Sequence, residues 1–192
     1  MQNTILFSLI IIFIYIFLFL DKNNLIYIEN KTGTKFMVQN GENKEQASEL
    51  LGNITERMFQ LKNHLYRNKA KYPEFEKYID QLNTNLSEMN TLIYETDPKS
   101  DLTSYSVNKG QELSFCLKSK KTGQFHKLNL LMYVAIHEMA HIGCPETGHG
   151  ELFKKIFKFL TEEAIKINLY SYESYGTQPV EYCGMILSSS IV

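Results

Sequence analysis

The chain has no tryptophan and only two arginines, Arg57 and Arg67, against many lysines. Bidentate recognition of phosphate favours the planar guanidinium over an ammonium. A formal net charge of −1 supplies no global field that would draw a polyanion. Direct nucleic-acid binding is therefore not expected. Cysteines number three, Cys116, Cys144 and Cys183, widely spaced and with no CxxC pair. That pattern suggests neither a disulfide framework nor a cysteine zinc site. Cys116 and Cys183 read as small buried residues. Free thiols fit a reducing compartment, and the sequons at Asn30, Asn53 and Asn85 are what an Asn-rich chain produces by accident. A cytosol-facing domain is expected.

Charge is also missing from Thr4–Leu20, TILFSLIIIFIYIFLFL. Seventeen residues at helical rise span roughly 25 Å, the short end for a membrane helix. No basic residue precedes the run and Asp-Lys-Asn-Asn follows it, which argues against a cleaved signal peptide. Lys22, Lys31 and Lys35 lie just after it, so the positive-inside rule puts the C-terminal part in the cytoplasm. The expected organisation is a single-pass membrane anchor over 1–21, a juxtamembrane linker over 22–44 with a short strand at Leu25–Ile28, and one folded domain over 45–192.

Within that domain, Ala47, Leu51, Ile54, Met58, Leu61 and Leu65 recur at threes and fours, the mark of an amphipathic helix from about Glu45 to Arg67. Pro73 suits the first turn of a second helix burying Phe75, Ile79, Leu82, Leu86 and Met89. His64 falls beside the first apolar stripe and reads as a surface or packed histidine. After Asp97-Pro98 the period changes to two. Tyr105 and Val107 alternate, Asn108-Lys109-Gly110 supplies a turn, and Leu113, Phe115 and Leu117 alternate again, which predicts a β-hairpin.

Asn129 is placed to cap the next helix, about Leu130 to Ile142, which is apolar on nearly every side and hence buried. Inside it stands His137-Glu138-Met139-Ala140-His141. Residues i and i+4 of a helix share a face, so both imidazoles can bind one metal ion while Glu138 handles a proton. Two histidines and a glutamate in a buried helix are costly unless something compensates them, and a metal ion does. Gly143 and Cys144-Pro145 end the helix, with Gly143 suited to a left-handed terminus.

A catalytic zinc takes three protein ligands and keeps a fourth position open. His149 is the favoured third ligand, since it follows the turn, opens the next amphipathic helix and has glycine on both sides. Glu162 or Glu163 has the spacing of a glutamate-ligated site, although an acidic pair among lysines usually marks a solvated face. Cys144 is a further alternative.

HEMAH followed by GHGELF resembles the WLM and SprT-like zinc metallopeptidases, whose third zinc ligand is a histidine shortly followed by an aromatic residue. The likeness runs over about Thr103–Ile186, and with YSVNKG and PVEYCGM it is similar to WLM-like metallopeptidases of large DNA viruses. The resemblance implies one catalytic zinc on His137, His141 and His149, with Glu138 as the catalytic base. It also implies a small zincin-like α+β fold, helices plus a short antiparallel sheet beside the motif helix. Seven residues separate His141 from His149 where the family pattern has five, so a longer loop must close over the metal. Cellular relatives act on proteins crosslinked to DNA, but this chain has no basic tail and no second zinc finger.

The activity expected is therefore hydrolysis of peptide bonds in a protein or peptide substrate, through a zinc-activated water and a glutamate base. The second hairpin strand is expected to offer its edge to an extended peptide. Tyr182 reads first as a packed aromatic in a Tyr-rich tail, with a donor to the tetrahedral intermediate as the alternative, and Glu181 is a candidate partner for a zinc histidine. The alternative is a membrane-anchored structural or interaction module in which zinc only staples the fold.

Overall fold

The apolar residues spaced three and four apart form a 24-residue helix, α1 (Lys44–Arg67), in the computed structural model, which describes residues 24–192. Ala47, Leu51, Ile54, Met58, Leu61 and Leu65 are all fully buried. Each of the larger ones contributes about 1.5–3 kcal/mol of burial. The second helix, α2 (Glu76–Asn85), starts later and stops earlier than the pattern predicts. Ile79, Leu82 and Leu86 are buried, but Met89 is 93% exposed, because the chain has left the helix before reaching it.

The stretch expected as a linker carries two strands, β1 (Leu25–Glu29) and β2 (Lys35–Gln39), joined as an antiparallel hairpin. Its turn is built on Asn30, whose Oδ1 accepts the backbone N–H of Thr32 at 3.1 Å and of Thr34 at 2.9 Å. A strand unread from the sequence, β3 (Leu92–Glu95), follows α2. The predicted hairpin is present as β4 (Tyr105–Val107) and β5 (Glu112–Phe115). These strands form one five-stranded sheet in the order β1-β2-β3-β5-β4. The β2–β3 and β3–β5 pairs are parallel, so the sheet is mixed and not the short antiparallel one expected. The order also leaves β4, not β5, on the open edge. β5 is enclosed between β3 and β4, and Leu113 and Phe115 are fully buried.

The helix α3 (Leu128–Gly143) is the hub of the fold, packed against α1, α2, β4 and a last helix, α4 (Glu151–Lys166). Leu130 to Ile136 and Met139, Ala140 and Ile142 are buried, as an all-round apolar helix requires. Two details of its ends differ from expectation. Lys127 precedes it as the capping position, and the Asn129 side chain instead bridges to the Ser171 backbone. Gly143 remains helical. Its missing side chain is used for close packing, since a Cβ there would lie 3.2 Å from the Tyr78 carbonyl. A small second sheet, β6 (Val180–Tyr182) and β7 (Met185–Leu187), closes the C-terminal part. The architecture is thus a mixed α/β fold.

Two expectations are corrected. Cys116 and Cys183 form a disulfide across 67 residues, with Cα atoms 6.3 Å apart, while Cys144 is free and buried. No local spacing announces such a pair, because it is made by the fold bringing the end of β5 against the β6–β7 turn. The single-pass membrane placement is also withdrawn. Among the described residues no helix is long and apolar enough to cross a membrane, and Thr4–Leu20 lies outside them.

Candidate metal centre

His137 and His141 stand one turn apart on α3 and face the loop that leads to α4. His149 sits just before Gly150, the residue at the N-terminal capping position of α4. The three Nε2 atoms converge: His137 to His141 is 3.2 Å, His141 to His149 is 3.1 Å and His149 to His137 is 3.1 Å. Phe153 on α4 is buried beneath all three rings, with centroid distances of 5.0 Å to His137, 4.3 Å to His141 and 4.8 Å to His149. Phe157 adds an edge contact to His137 at 5.1 Å.

Three neutral imidazoles cannot satisfy one another in this triangle. Each Nε2 is either a donor or an acceptor, so at least one of the three pairs sets like against like. A cation in contact with all three lone pairs removes the conflict. The edges are also close to the roughly 3.3–3.4 Å edge of a tetrahedron with metal–nitrogen bonds near 2.0–2.1 Å. Burial, and then the neighbouring imidazoles, holds His137 down to about 3. Burial, His149 and the Lys109 ammonium hold His141 down to about 4. Both rings are therefore neutral, the form that binds a metal. Among the described residues no fourth His, Cys, Asp or Glu joins the three.

The rival ligands lie elsewhere. Glu163 is buried on another side of α4, where its carboxylate accepts the Tyr72 hydroxyl at 2.6 Å and pairs with Lys166. Glu162 is on the solvent side, 3.9 Å from Lys158. Cys144 is buried at the end of α3, and its backbone N–H donates to the Ala140 carbonyl at 2.9 Å. His64 is near Glu163, at 3.6 Å. Glu181 accepts the Gly184 N–H and is near His126 and Lys121, so it serves its own turn and not a ligand histidine.

Glu138 is 5% exposed and points into the same cavity as the histidines. Burial pushes its carboxyl up to about 7, against the hydroxyl and backbone N–H of Ser106, which favour the charged form. The cavity has a volume of about 620 Å³. Its other walls are largely apolar, with Tyr105, Tyr133, Val134, Met185 and Leu187. Tyr182 is on the wall as well, buried, with its hydroxyl hydrogen-bonded to Ser104 Oγ. Ser104 Oγ in turn accepts the Cys116 N–H at 3.0 Å. Sequence reasoning missed Ser106 and the seat provided by Phe153. Only the second left a trace, as an aromatic four residues after His149.

No protein-family model matches the chain. Uncharacterized protein R325 of Acanthamoeba polyphaga mimivirus is 40% identical over 189 residues, 96% of this chain and 95% of its own length. The chain belongs to the R325 family. Uncharacterized protein 136R of Invertebrate iridescent virus 6 is 33% identical over 129 residues, 65% of this chain and 66% of that protein. Both relatives are viral proteins. A crystal structure of Wss1 from Saccharomyces cerevisiae overlaps 69% of this chain and 88% of its own, at 18% identity and a TM-score of 0.47. That overlap is too loose to carry a conclusion about activity.

Proposed function

We propose that this chain is a zinc-dependent metallopeptidase of the WLM and SprT-like kind that cuts peptide bonds in protein substrates. The observation that carries the reading is the convergence of three imidazole nitrogens at 3.1–3.2 Å beside a buried glutamate in an open cavity. A structural zinc site is closed by four protein ligands. The triad supplies three, which supports catalysis over a staple.

His137, His141 and His149 hold the ion. Zinc there supplies Lewis acidity, which makes water nucleophilic at neutral pH and polarises a carbonyl. Glu138 takes the proton of the attacking water and passes it to the departing amine, its carboxylate oriented by Ser106. The open edge of β4 borders the cavity through Tyr105 and Ser106, so an extended substrate adds to the sheet there. Tyr182 offers a hydroxyl to the developing oxyanion. Ser104 Oγ, which also accepts the Cys116 N–H, hydrogen-bonds the Tyr182 oxygen and holds the phenol at the cavity wall. The low net charge and scarcity of arginine favour polypeptide over nucleic acid as the substrate.

The deciding experiment compares Glu138→Gln and His149→Ala with the native chain. The first keeps one zinc per chain and loses hydrolysis of an unstructured protein, and the second loses the metal. Full activity in Glu138→Gln sinks the mechanism. Undiminished zinc in His149→Ala moves the third ligand elsewhere.

A further inference from the structure

Lys109 occupies a position that its residue type does not favour. The turn between β4 and β5 carries Asn108 at φ 47°, Lys109 at φ 58° and Gly110 at φ 108° in succession. The Val107 carbonyl accepts the Gly110 N–H at 3.1 Å, so Asn108 and Lys109 are the central pair of a tight turn in which both are left-handed. Asparagine and glycine meet that demand easily. Lysine does so only under strain, and strain of this kind directs attention to what the side chain does.

The Lys109 ammonium spans the gap to the far end of α3. It donates to the His141 carbonyl at 3.2 Å, the Cys144 carbonyl at 2.7 Å and the Glu146 carbonyl at 2.8 Å. These acceptors run from the second histidine of the triad, through the end of the helix, into the loop that brings His149 back. The last carbonyls of a helix have no intrahelical partner and favour a cation. Three carbonyls also match the three protons of an ammonium. The turn is pressed against the same helix end. A Cβ on Gly110 would lie 3.2 Å from Ile142 Cδ1 and 3.1 Å from the Asn85 carbonyl, so the backbone beneath Lys109 is closely seated.

We propose that Lys109 is a positioning residue that clamps the loop after α3 in the form that presents His149 to His137 and His141. The inference rests on the metal site proposed above. It accounts for how the chain between the end of α3 and His149 is held, since the ammonium ties the His141, Cys144 and Glu146 carbonyls together. Ordering the third donor in advance raises metal affinity, because less conformational entropy is lost on binding.

The test uses the 192-residue chain and its Lys109→Gly variant, which removes the ammonium and relieves the left-handed backbone. Lys109→Asn, also at ease in that conformation, is the second variant. In the zinc-free proteins, amide hydrogen exchange over residues 144–150 is expected to be at least ten-fold faster in both variants, with the β1–β2 hairpin unchanged. Zinc affinity, read by competition with a chelating dye, is expected to fall at least ten-fold in both variants. Unchanged exchange over 144–150, or zinc affinity within two-fold of native, overturns the clamp. A native chain that takes no zinc, combined with faster loop exchange in the variants, overturns the metal reading and leaves the clamp supported.

Discussion

Phe153 lies with its ring 4.3 Å from that of His141, centroid to centroid, and it also touches His137 and His149. One buried phenyl group on α4 therefore seats donors that come from α3 and from the loop. Phe153→Ala is expected to lower stability by about 3–5 kcal/mol through the cavity it opens. The milder Phe153→Leu is expected to cost about 1 kcal/mol and still weaken zinc binding several-fold. Chemical denaturation measures the first quantity and chelator competition the second. Native zinc affinity in Phe153→Leu contradicts the seating role.

Tyr182 and Ser104 connect the C-terminal hairpin to the segment before β4. Tyr182→Phe keeps the ring and removes the hydroxyl. Loss of one oxyanion donor costs about 100- to 1,000-fold in kcat where that donor is central. A fall of at least ten-fold in kcat, with zinc content and KM near native, is expected from steady-state kinetics. An unchanged kcat removes Tyr182 from the chemistry.

The Cys116–Cys183 bond closes a loop of 67 residues. Chain-entropy reasoning assigns such a closure about 4 kcal/mol of stability. Urea unfolding with and without a dithiol reductant, and of Cys183→Ser, is expected to show a loss of that order. The cavity wall carrying Tyr182 is expected to loosen with it. Coincident unfolding curves refute the contribution.

Acid sensitivity follows from Glu163. Burial acts to raise its pKa, but the Lys166 ammonium and Tyr72 hydroxyl, with His64 nearby, bring it below the ordinary 4.5. The folded state thus prefers the carboxylate more than the unfolded chain does. The stability this group contributes is present above about pH 4.5 and is lost as pH falls through the folded value. Glu163→Gln is expected to flatten that part of the stability–pH curve, as measured by urea midpoints between about pH 3 and 6. An unaltered slope refutes the assignment.

The separation between what was legible and what was not follows from the range of the interactions. The stripe from Ala47 to Leu65, the all-round apolar α3 and the hairpin at Tyr105–Phe115 are periodic patterns, and periodicity is a local property of the backbone. The pairing of His137 and His141 belongs to the same class, since a helix sets their spacing by itself. The mixed sheet order, the burial of Glu163 away from the histidines and the Cys116–Cys183 bond depend on residues far apart in the chain. No pattern within a window of ten or twenty residues encodes them. His149 stands between the two. Its glycine neighbours and its place after the turn, at the opening of the next amphipathic helix, made it the favoured candidate, while Cys144 and two glutamates remained open on sequence alone. Tertiary structure brings His149, and not Cys144 or the glutamates, to the two helix histidines by turning the start of α4 back over α3, with Phe153 packed beneath the rings and the Lys109 ammonium hydrogen-bonded to the intervening carbonyls.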